Sequence, residues 1–295
     1  MMKTLGKIGK VEIGRVYDSS LLGFTAQTWF PKFTREAAKP HEHWLCPDHY
    51  DPETGRFPMP VHSWLLKVGN YNVLIDTCMG NDKARRAFAE MHHLANHYLE
   101  RLAEHGLQPE DIHFVLCTHL HVDHVGWNTR LVNGRWVPTF PNARYVFSRV
   151  EYEAAKAEAA EPDCAPYLRQ TFEDSIHPVV ESGKMMLVED LHELFDCLLL
   201  RQAPGHSPGH VRIELRSEGD TGVFAGDLLH SPMQVPLWQM SSVVCWDQDM
   251  AATARRELLE FCADENALLI PGHFEAPYVG RVRRDGDSFA LDLGW

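Results

Sequence analysis

Apolar positions along the chain fall into short runs separated by turn-forming residues. Runs of this kind predict strands at 62–68, 71–76, 112–117, 144–148, 197–201, 211–215, 222–225 and 267–270. Amphipathic spacing predicts helices at 84–104, 150–160, 165–175 and 249–263. Strands that alternate with helices indicate an α/β fold. One run of strands before residue 150 and another after residue 195 predict two sheets packed together.

Residues 18–60 break this pattern, because they are rich in proline, aromatic residues and histidine and show little periodicity. We therefore predict a long irregular segment there. Long ordered loops are more often functional than not, so we expect this segment to wall the active site. No internal repeat or linker divides the chain, and we expect residues 1–295 to form a single domain.

Composition narrows the classes of partner. The chain has 295 residues, 44% of them hydrophobic and 23% charged, which is typical of a globular protein. A net charge of −13 with only short basic clusters argues against nucleic acid and favours a small-molecule substrate. No run is apolar enough to predict a membrane span, and no secretory signal is visible. Seven scattered cysteines suit a reducing compartment, so we expect a cytoplasmic protein without membrane partners.

The most informative segment follows the predicted strand 112–117 and reads Thr-His-Leu-His-Val-Asp-His. Four potential ligands, His119, His121, Asp123 and His124, lie within six residues. A loop can turn all four toward one point, whereas an extended strand would alternate its side chains. Imidazole and carboxylate are the usual ligands of hydrolytic zinc sites. A solvated histidine-rich loop is the alternative, and this spacing after an apolar strand disfavours it.

Three more candidate ligands lie where predicted strands end. His206 is in a Pro-Gly-His turn, Asp227 follows a glycine, and His273 is in a second Pro-Gly-His turn. Glycine allows the sharp turn that directs a short side chain back across a sheet edge. Each residue alone could be structural, but together with the first cluster they complete two metal sites.

The HxHxDH motif with a later His, Asp and His closely resembles the metallo-β-lactamase superfamily, over about residues 60–275. The resemblance implies an αβ/βα sandwich of two mixed β-sheets flanked by helices. It also implies that two divalent ions are bound, with Zn²⁺ expected and manganese, cobalt or iron as alternatives. His119, His121 and His206 would hold the first ion; Asp123, His124 and His273 would hold the second; Asp227 would bridge both.

Three further stretches look most like the branch that contains methyl parathion hydrolase and the acyl-homoserine-lactone lactonases. They are Asp123–Asn128, Pro204–His210 and Gly226–Gln234. Leu74–Thr77 is similar to the early strand motif of the superfamily, and Asp76 within it is either a partner of a metal ligand or a turn residue. Cys78 stands where a glycine is more usual there.

His230 stands three residues after Asp227, where several homoserine-lactone lactonases have a tyrosine that helps to position the substrate carbonyl. Because of this difference, the substrate of those lactonases cannot simply be assumed for this chain. We predict a catalytic role for His230, as a hydrogen-bond donor or as an acid for the leaving group. A histidine at the pocket rim without a chemical role is the alternative.

The resemblance implies a hydrolase in which a hydroxide shared by two metals attacks a carbonyl centre, with Asp123 passing a proton to the leaving oxygen. The expected substrate is a lactone or a related carboxylic ester. Phosphotriester hydrolysis or hydrolytic dehalogenation of an activated xenobiotic is the first alternative. A mononuclear iron oxygenase of the same fold is the second, and a non-catalytic binding protein is the third. A homodimer is one assembly that the sequence allows.

Overall fold

The computed structural model describes residues 2–295. The strands are β1 (Gly6–Ile8), β2 (Val11–Leu21), β3 (Met59–Val68), β4 (Tyr71–Ile75), β5 (Phe114–Leu116), β6 (Thr129–Val132), β7 (Arg135–Pro138), β8 (Arg144–Ser148), β9 (Met185–Val188), β10 (His192–Leu194), β11 (Leu198–Gln202), β12 (Val211–Ser217), β13 (Asp220–Gly226), β14 (Leu268–Pro271), β15 (Gly280–Asp285) and β16 (Ser288–Leu293). The α-helices are α1 (Ala26–Trp29), α2 (Arg35–Ala38), α3 (Glu42–Leu45), α4 (Tyr98–Glu104), α5 (Val122–Val125), α6 (Arg149–Ala160), α7 (Pro166–Thr171), α8 (His177–Glu181) and α9 (Gln248–Asp264).

The first large sheet has the strand order β1-β2-β3-β4-β5-β8-β9. Strands β3 and β4 form an antiparallel hairpin closed by a turn at Gly69, whose φ of +55° suits glycine. Strands β4, β5, β8 and β9 are parallel neighbours, and parallel pairing requires the long crossovers that separate them in sequence. Strand β5 is central and buried, which places the segment that follows it at the carboxyl edge of the sheet.

The second large sheet has the order β10-β11-β12-β13-β14-β15-β16. All its neighbours pair antiparallel except β13 and β14, which are parallel and are joined by a crossover that contains α9. The register of β13 against β14 shifts between Phe224 and Gly226. A bulge of this kind redirects the chain that leaves a strand, and the next residue is the candidate ligand Asp227.

Helix α9 forms because its sequence combines a cap with an apolar stripe. The Asp247 side chain accepts hydrogen bonds from the backbone N–H groups of Asp249 and Met250 at the helix start. The face with Ala251, Ala254, Leu258 and Cys262 is buried. It packs in one core cluster with apolar residues of β13 and β14. The two mixed sheets with their helices are the α/β class that the sequence resemblance implies.

The chain divides into two compact units that alternate along the sequence. The first runs up to Ser19 and continues through Val61–Asp190, and the second comprises Ser20–Pro60 and Leu191–Trp295. The expectation that 1–295 is a single domain stays a prediction. Among residues 2–295, no helix is long and apolar enough to span a bilayer.

Segment 18–60 is more regular than predicted, since it contains α1 to α3 between the ends of β2 and β3. The prediction of a helix over 84–104 is wrong in its first part, where only the 3₁₀ turn Ala89–Met91 precedes α4. His93 has a φ of +49°, which an α-helix cannot contain. The apolar spacing there reflects irregular chain held by buried polar side chains.

Lys83 and Arg85 are those polar side chains. Arg85 binds Asp174 through two hydrogen bonds of 2.7 and 2.8 Å. The Lys83 Nζ donates to Thr129 Oγ1 at 2.6 Å and to the Asp174 carbonyl at 3.0 Å, and lies 3.6 Å from the centre of the Trp136 ring. Burial lowers the pKa of Lys83 to about 7, against the opposing attraction of Asp174. Two cations therefore share one carboxylate in the interior.

We expect this lysine to make stability depend on pH. Its pKa is lower in the folded protein than in the unfolded chain, so the unfolded chain binds more protons between about pH 7 and 10. The free energy of unfolding should rise with pH across that window, with a slope approaching about 1.4 kcal/mol per pH unit for one proton. Chemical denaturation of wild type and Lys83→Met at several pH values measures the difference in slope. Lys156→Met, at an exposed position, is the control. Equal slopes for wild type and Lys83→Met would contradict this account.

Candidate metal centre

The four clustered candidate ligands of the first unit follow β5. His119 is fully buried, and the chain then turns into α5, which carries Asp123 and His124. The ring centres of His119 and His121 are 4.6 Å apart, and those of His119 and His124 are 4.1 Å apart. His124 Nε2 lies 3.6 Å from an Asp123 carboxylate oxygen. The loop therefore gathers all four side chains, as the sequence predicts.

Asp76 fixes the orientation of two of these imidazoles. Its carboxylate accepts hydrogen bonds from the Thr118 N–H and the Thr118 hydroxyl, each at 2.8 Å, and from His124 Nδ1 at 2.9 Å. Because the Thr118 hydroxyl donates to Asp76, its oxygen accepts from His119 Nδ1 at 3.1 Å. Both histidines thus carry a proton on Nδ1, which leaves the Nε2 lone pair for a metal. Asp76 is also a turn residue, with φ of +58°, and its carboxylate contacts the candidate ligand His124.

Backbone hydrogen bonds join the turn after Asp76 to the loop that carries the four candidate ligands of the first unit. Thr77 N–H donates to the His124 carbonyl, and Gly126 N–H donates to the Cys78 carbonyl, both at 2.7 Å. Cys78 adopts φ of +53°, so the turn keeps a left-handed conformation although glycine is replaced. At Gly126, an added Cβ would lie 1.8 Å from the Met79 carbonyl oxygen. Only glycine permits this approach.

In the second unit, Asp227 lies between histidines. Its Oδ2 is 3.3 Å from His206 Nε2 and its Oδ1 is 3.0 Å from His273 Nε2. His273 Nδ1 donates to the Pro60 carbonyl at 2.9 Å, which again leaves Nε2 toward the carboxylate. The Asp227 N–H donates to His210 Nε2 at 3.1 Å. The sequence analysis assigns no role to His210. The signal that could have indicated one is its place as the second histidine of the Pro204–His210 stretch.

His206 is aimed by a turn that requires glycine. Gly205 has φ of +130°, and an added Cβ there would lie 2.2 Å from the Ala251 backbone nitrogen in α9. The backbone on either side is held as well, because the N–H groups of Trp246 and Asp247 donate to the carbonyls of His206 and Gly205 at 2.9 Å. The end of β11 is thereby fastened to the start of α9.

His230 is not at a pocket rim but is 1% exposed. Its Nε2 lies 3.2 Å from Asp227 Oδ2, and its ring is parallel to that of His273 at 5.9 Å. The Trp29 and His230 rings pack in a T-shaped arrangement with their centres 5.7 Å apart. Burial lowers the pKa of His230, and the negative charge of Asp227 opposes this. His206, Asp227 and His230 offer atoms within 4.8 Å of one another, so His230 is a further potential ligand that sequence reasoning had not assigned.

Gln234 holds the backbone that carries His230. Its Oε1 accepts from the His230 N–H at 2.7 Å and from the Ser231 N–H at 3.2 Å, while its Nε2 donates to the Met240 carbonyl at 2.6 Å. Gln234 is fully buried, and the sequence offered a signal for it, since a serine followed three residues later by glutamine is a capping box.

The donors fit divalent metal ions. Asp123 with His124, His119 with His121, and Asp227 with His273 each offer ligand atoms within 4.8 Å of one another. The set consists of imidazole nitrogens and carboxylate oxygens, most of them buried, as in hydrolytic metal sites. Several of the imidazoles have their other nitrogen bonded to oxygen, the usual arrangement of metal-binding histidines.

The sequence model of the metallo-beta-lactamase superfamily matches residues 56–273, and the chain belongs to this superfamily. It is 24% identical over 226 residues to an N-acyl homoserine lactonase of Bacillus cereus, covering 73% of this chain and 81% of the relative. Over a shorter stretch of 117 residues, it is 32% identical to N-acyl homoserine lactonase AttM of Azorhizobium caulinodans, covering 38% of each chain.

Solved structures show the same fold. The hydrolase AbOPH of the beta-lactamase superfamily superposes with a TM-score of 0.79 at 25% identity, covering 98% of this chain and 96% of that one. The dizinc quorum-quenching lactonase AidC, in complex with its product, superposes with a TM-score of 0.79 at 20% identity and the same coverage. The chain is therefore a metallo-beta-lactamase-fold hydrolase with lactonase relatives.

We expect Gly126→Ala to destabilise the protein strongly, because the new methyl group would overlap the Met79 carbonyl. A forced backbone shift of this kind should lower the free energy of unfolding by about 3 kcal/mol or more. Gly134→Ala is the matched control, since Gly134 has φ of +77° but no atom within 4 Å of an added Cβ. It should cost only the strain of the left-handed backbone, about 1–2 kcal/mol. Urea denaturation compares them, and equal losses would argue against steric exclusion at Gly126.

Proposed function

We propose that the protein is a dinuclear metal-dependent hydrolase that opens a lactone or cleaves a related carboxylic ester. One observation carries the proposal: the two oxygens of Asp227 face different imidazoles, His273 at Oδ1 and His206 at Oδ2. A carboxylate that presents one oxygen to each of two histidine-bearing positions is suited to bridge two ions. Superfamily membership and the lactonase relatives support the same reading.

The ligand assignment follows from the motif. His119, His121 and His206 would bind one ion, Asp123, His124 and His273 would bind the other, and Asp227 would bridge them. Zn²⁺ is the expected metal because the donors are imidazoles and carboxylates. When bound, the ions supply a water of lowered pKa and Lewis acidity toward the substrate carbonyl.

The chain's own groups position and protonate the substrate. The Asp123 carboxylate is proposed to carry a proton to the leaving oxygen, since an alkoxide departs poorly without one. His230, which lies beside Asp227, is proposed to assist the same departure by donating a hydrogen bond to the leaving oxygen of the substrate. The rings of Trp29 and Phe30 pack against the buried His230 ring in T-shaped arrangements. Both belong to segment 18–60, and we therefore keep the proposal that this segment walls the site.

The proposal also includes the cellular location, the class of substrate and the assembly of the enzyme. All seven cysteines are free, in keeping with a reducing, cytoplasmic location. A net charge of −13 favours a small-molecule substrate over nucleic acid. One domain spanning 1–295 and a homodimeric assembly complete the proposal. An oxygenase with a single iron would need only one set of ligands, so it does not explain why Asp227 faces a second imidazole.

Metal content tests the dinuclear site. Elemental analysis of protein purified without chelator should give close to two ions per chain, because seven ligand positions are present. Asp227→Asn should lose at least one ion, since an amide offers one good oxygen donor where the carboxylate offers two. Asn81→Asp changes charge in the opposite sense outside the ligand set and should leave the content unchanged. A single ion in wild type, kept in an Asp123→Ala, His124→Ala double variant, would contradict the dinuclear site.

Substrate preference tests the reaction. Wild type should hydrolyse lactones and carboxylic esters faster than phosphotriesters, and the reverse order would favour the phosphotriesterase alternative. His230→Ala should slow alkyl lactones by roughly 10²-fold or more while p-nitrophenyl esters lose far less, because a phenolate departs without assistance. His230→Gln keeps a hydrogen-bond donor and should recover part of the lactone rate. Equal losses on both substrates would mean that His230 instead supports the metal ligands.

A further inference from the structure

We infer that Glu151 is a positioning residue for the metal centre, acting through the peptide N–H of Leu120. Leu120 stands between His119 and His121, two of the proposed ligands of one ion. Glu151 Oε1 accepts a hydrogen bond from the Leu120 N–H at 3.0 Å. Glu151 is only 4% exposed, and His119 and Leu120 are 0% and 5% exposed. The inference rests on the proposed metal centre and adds a residue that the ligand motif does not contain.

The sequence around Glu151 shows that this contact is not the ordinary local one. Ser148 caps α6, and its hydroxyl accepts from the Glu151 N–H at 3.4 Å. In a capping box, a glutamate three residues after the cap turns back to the cap's own N–H. Here Glu151 Oε1 instead reaches 31 positions along the chain to the ligand loop. Helix α6 is therefore tied to that loop by a carboxylate.

The position of the bond explains why it would affect metal binding. The Leu120 N–H belongs to the peptide group that joins His119 to Leu120. Fixing this group restricts the backbone rotation next to His119 and, one residue further on, the path of the chain to His121. Asp76 and Thr118 already orient the His119 ring from its Nδ1 side. Glu151 adds a constraint on the backbone between the two histidines. Groups that orient ligands without binding metal typically change metal affinity by roughly 10- to 100-fold when removed.

The test compares three variants in the full-length protein. Glu151→Leu removes the acceptor, and Glu151→Gln keeps an amide oxygen at the same reach. Ser148→Ala is the control, because it weakens the same helix start without removing the Leu120 contact. Zinc affinity is measured by competition with a chromophoric chelator, and thermal unfolding is measured on metal-free protein. Glu151→Leu should bind one of its two ions roughly 10- to 100-fold more weakly, whereas Glu151→Gln and Ser148→Ala should stay close to wild type.

The possible outcomes distinguish failure of the proposed role of Glu151 from failure of the proposed metal centre. If Glu151→Leu keeps wild-type affinity while folded, or if it lowers the melting temperature of metal-free protein without changing affinity, Glu151 has only a structural role and the inference is overturned. If Glu151→Leu does not fold, Glu151→Asp, whose carboxylate is one methylene shorter, replaces it and should also weaken one ion. If Glu151→Asp keeps wild-type zinc affinity while Glu151→Gln binds zinc more weakly, the charge of the side chain matters rather than its reach to the Leu120 N–H. That result would also overturn the inference. Wild type that binds no zinc would instead refute the metal centre itself.

Discussion

The conformation of the first ligand loop depends on the carboxylate of Asp76. It accepts three hydrogen bonds, two from Thr118 and one from His124, and through the Thr118 hydroxyl it also determines the proton position on His119. The bond from the Thr118 N–H holds the loop in place, while those from the Thr118 hydroxyl and from His124 also determine which ring nitrogen faces the candidate metal centre. A carboxylate in this position must itself be held, and the left-handed turn at Asp76, together with the backbone bonds from Thr77 to His124, provides that support.

In the second unit, different polar groups orient the candidate ligands. His210 receives the backbone N–H of Asp227, the Pro60 carbonyl receives the Nδ1 proton of His273, and Gln234 holds the backbone of His230. Arg255 adds a buried cation that donates to the Leu228 carbonyl at 2.5 Å, one residue after the carboxylate. Burial lowers the pKa of this guanidinium to about 10, so it stays protonated near neutral pH. Polar groups outside the ligand set therefore decide where the ligands point.

The candidate ligands are easier to recognise in the sequence than the groups that surround them. HxHxDH is a local pattern, and each later candidate ligand follows a strand and a glycine. Both patterns can be recognised without knowledge of the tertiary structure. The strands of the second sheet from β11 to β14 were also predictable because their apolar runs are continuous. No strand is predicted over β15 or β16, because charged residues interrupt the apolar positions of both. Strand β16 lies at the edge of the sheet, and β15 lies beside it. The helix predicted over 84–104 failed because Lys83 and Arg85 satisfy buried partners that lie some 45 to 90 positions away. Long-range contacts of this kind, including the one between Glu151 and Leu120, leave no mark on local periodicity.

The alternation of the two units along the chain has a consequence for biosynthesis. Ser20–Pro60 leaves the ribosome early, yet the rest of its unit, Leu191–Trp295, is made only after the whole of Val61–Asp190. At ordinary translation rates this delay is on the order of ten seconds. Throughout it, Trp29 and Phe30, which are buried in the finished protein, lack their later ring partner His230, and the Pro60 carbonyl lacks its donor His273. The nascent chain therefore carries an incompletely covered aromatic segment for much of its synthesis, and transiently exposed apolar surface of this kind promotes aggregation.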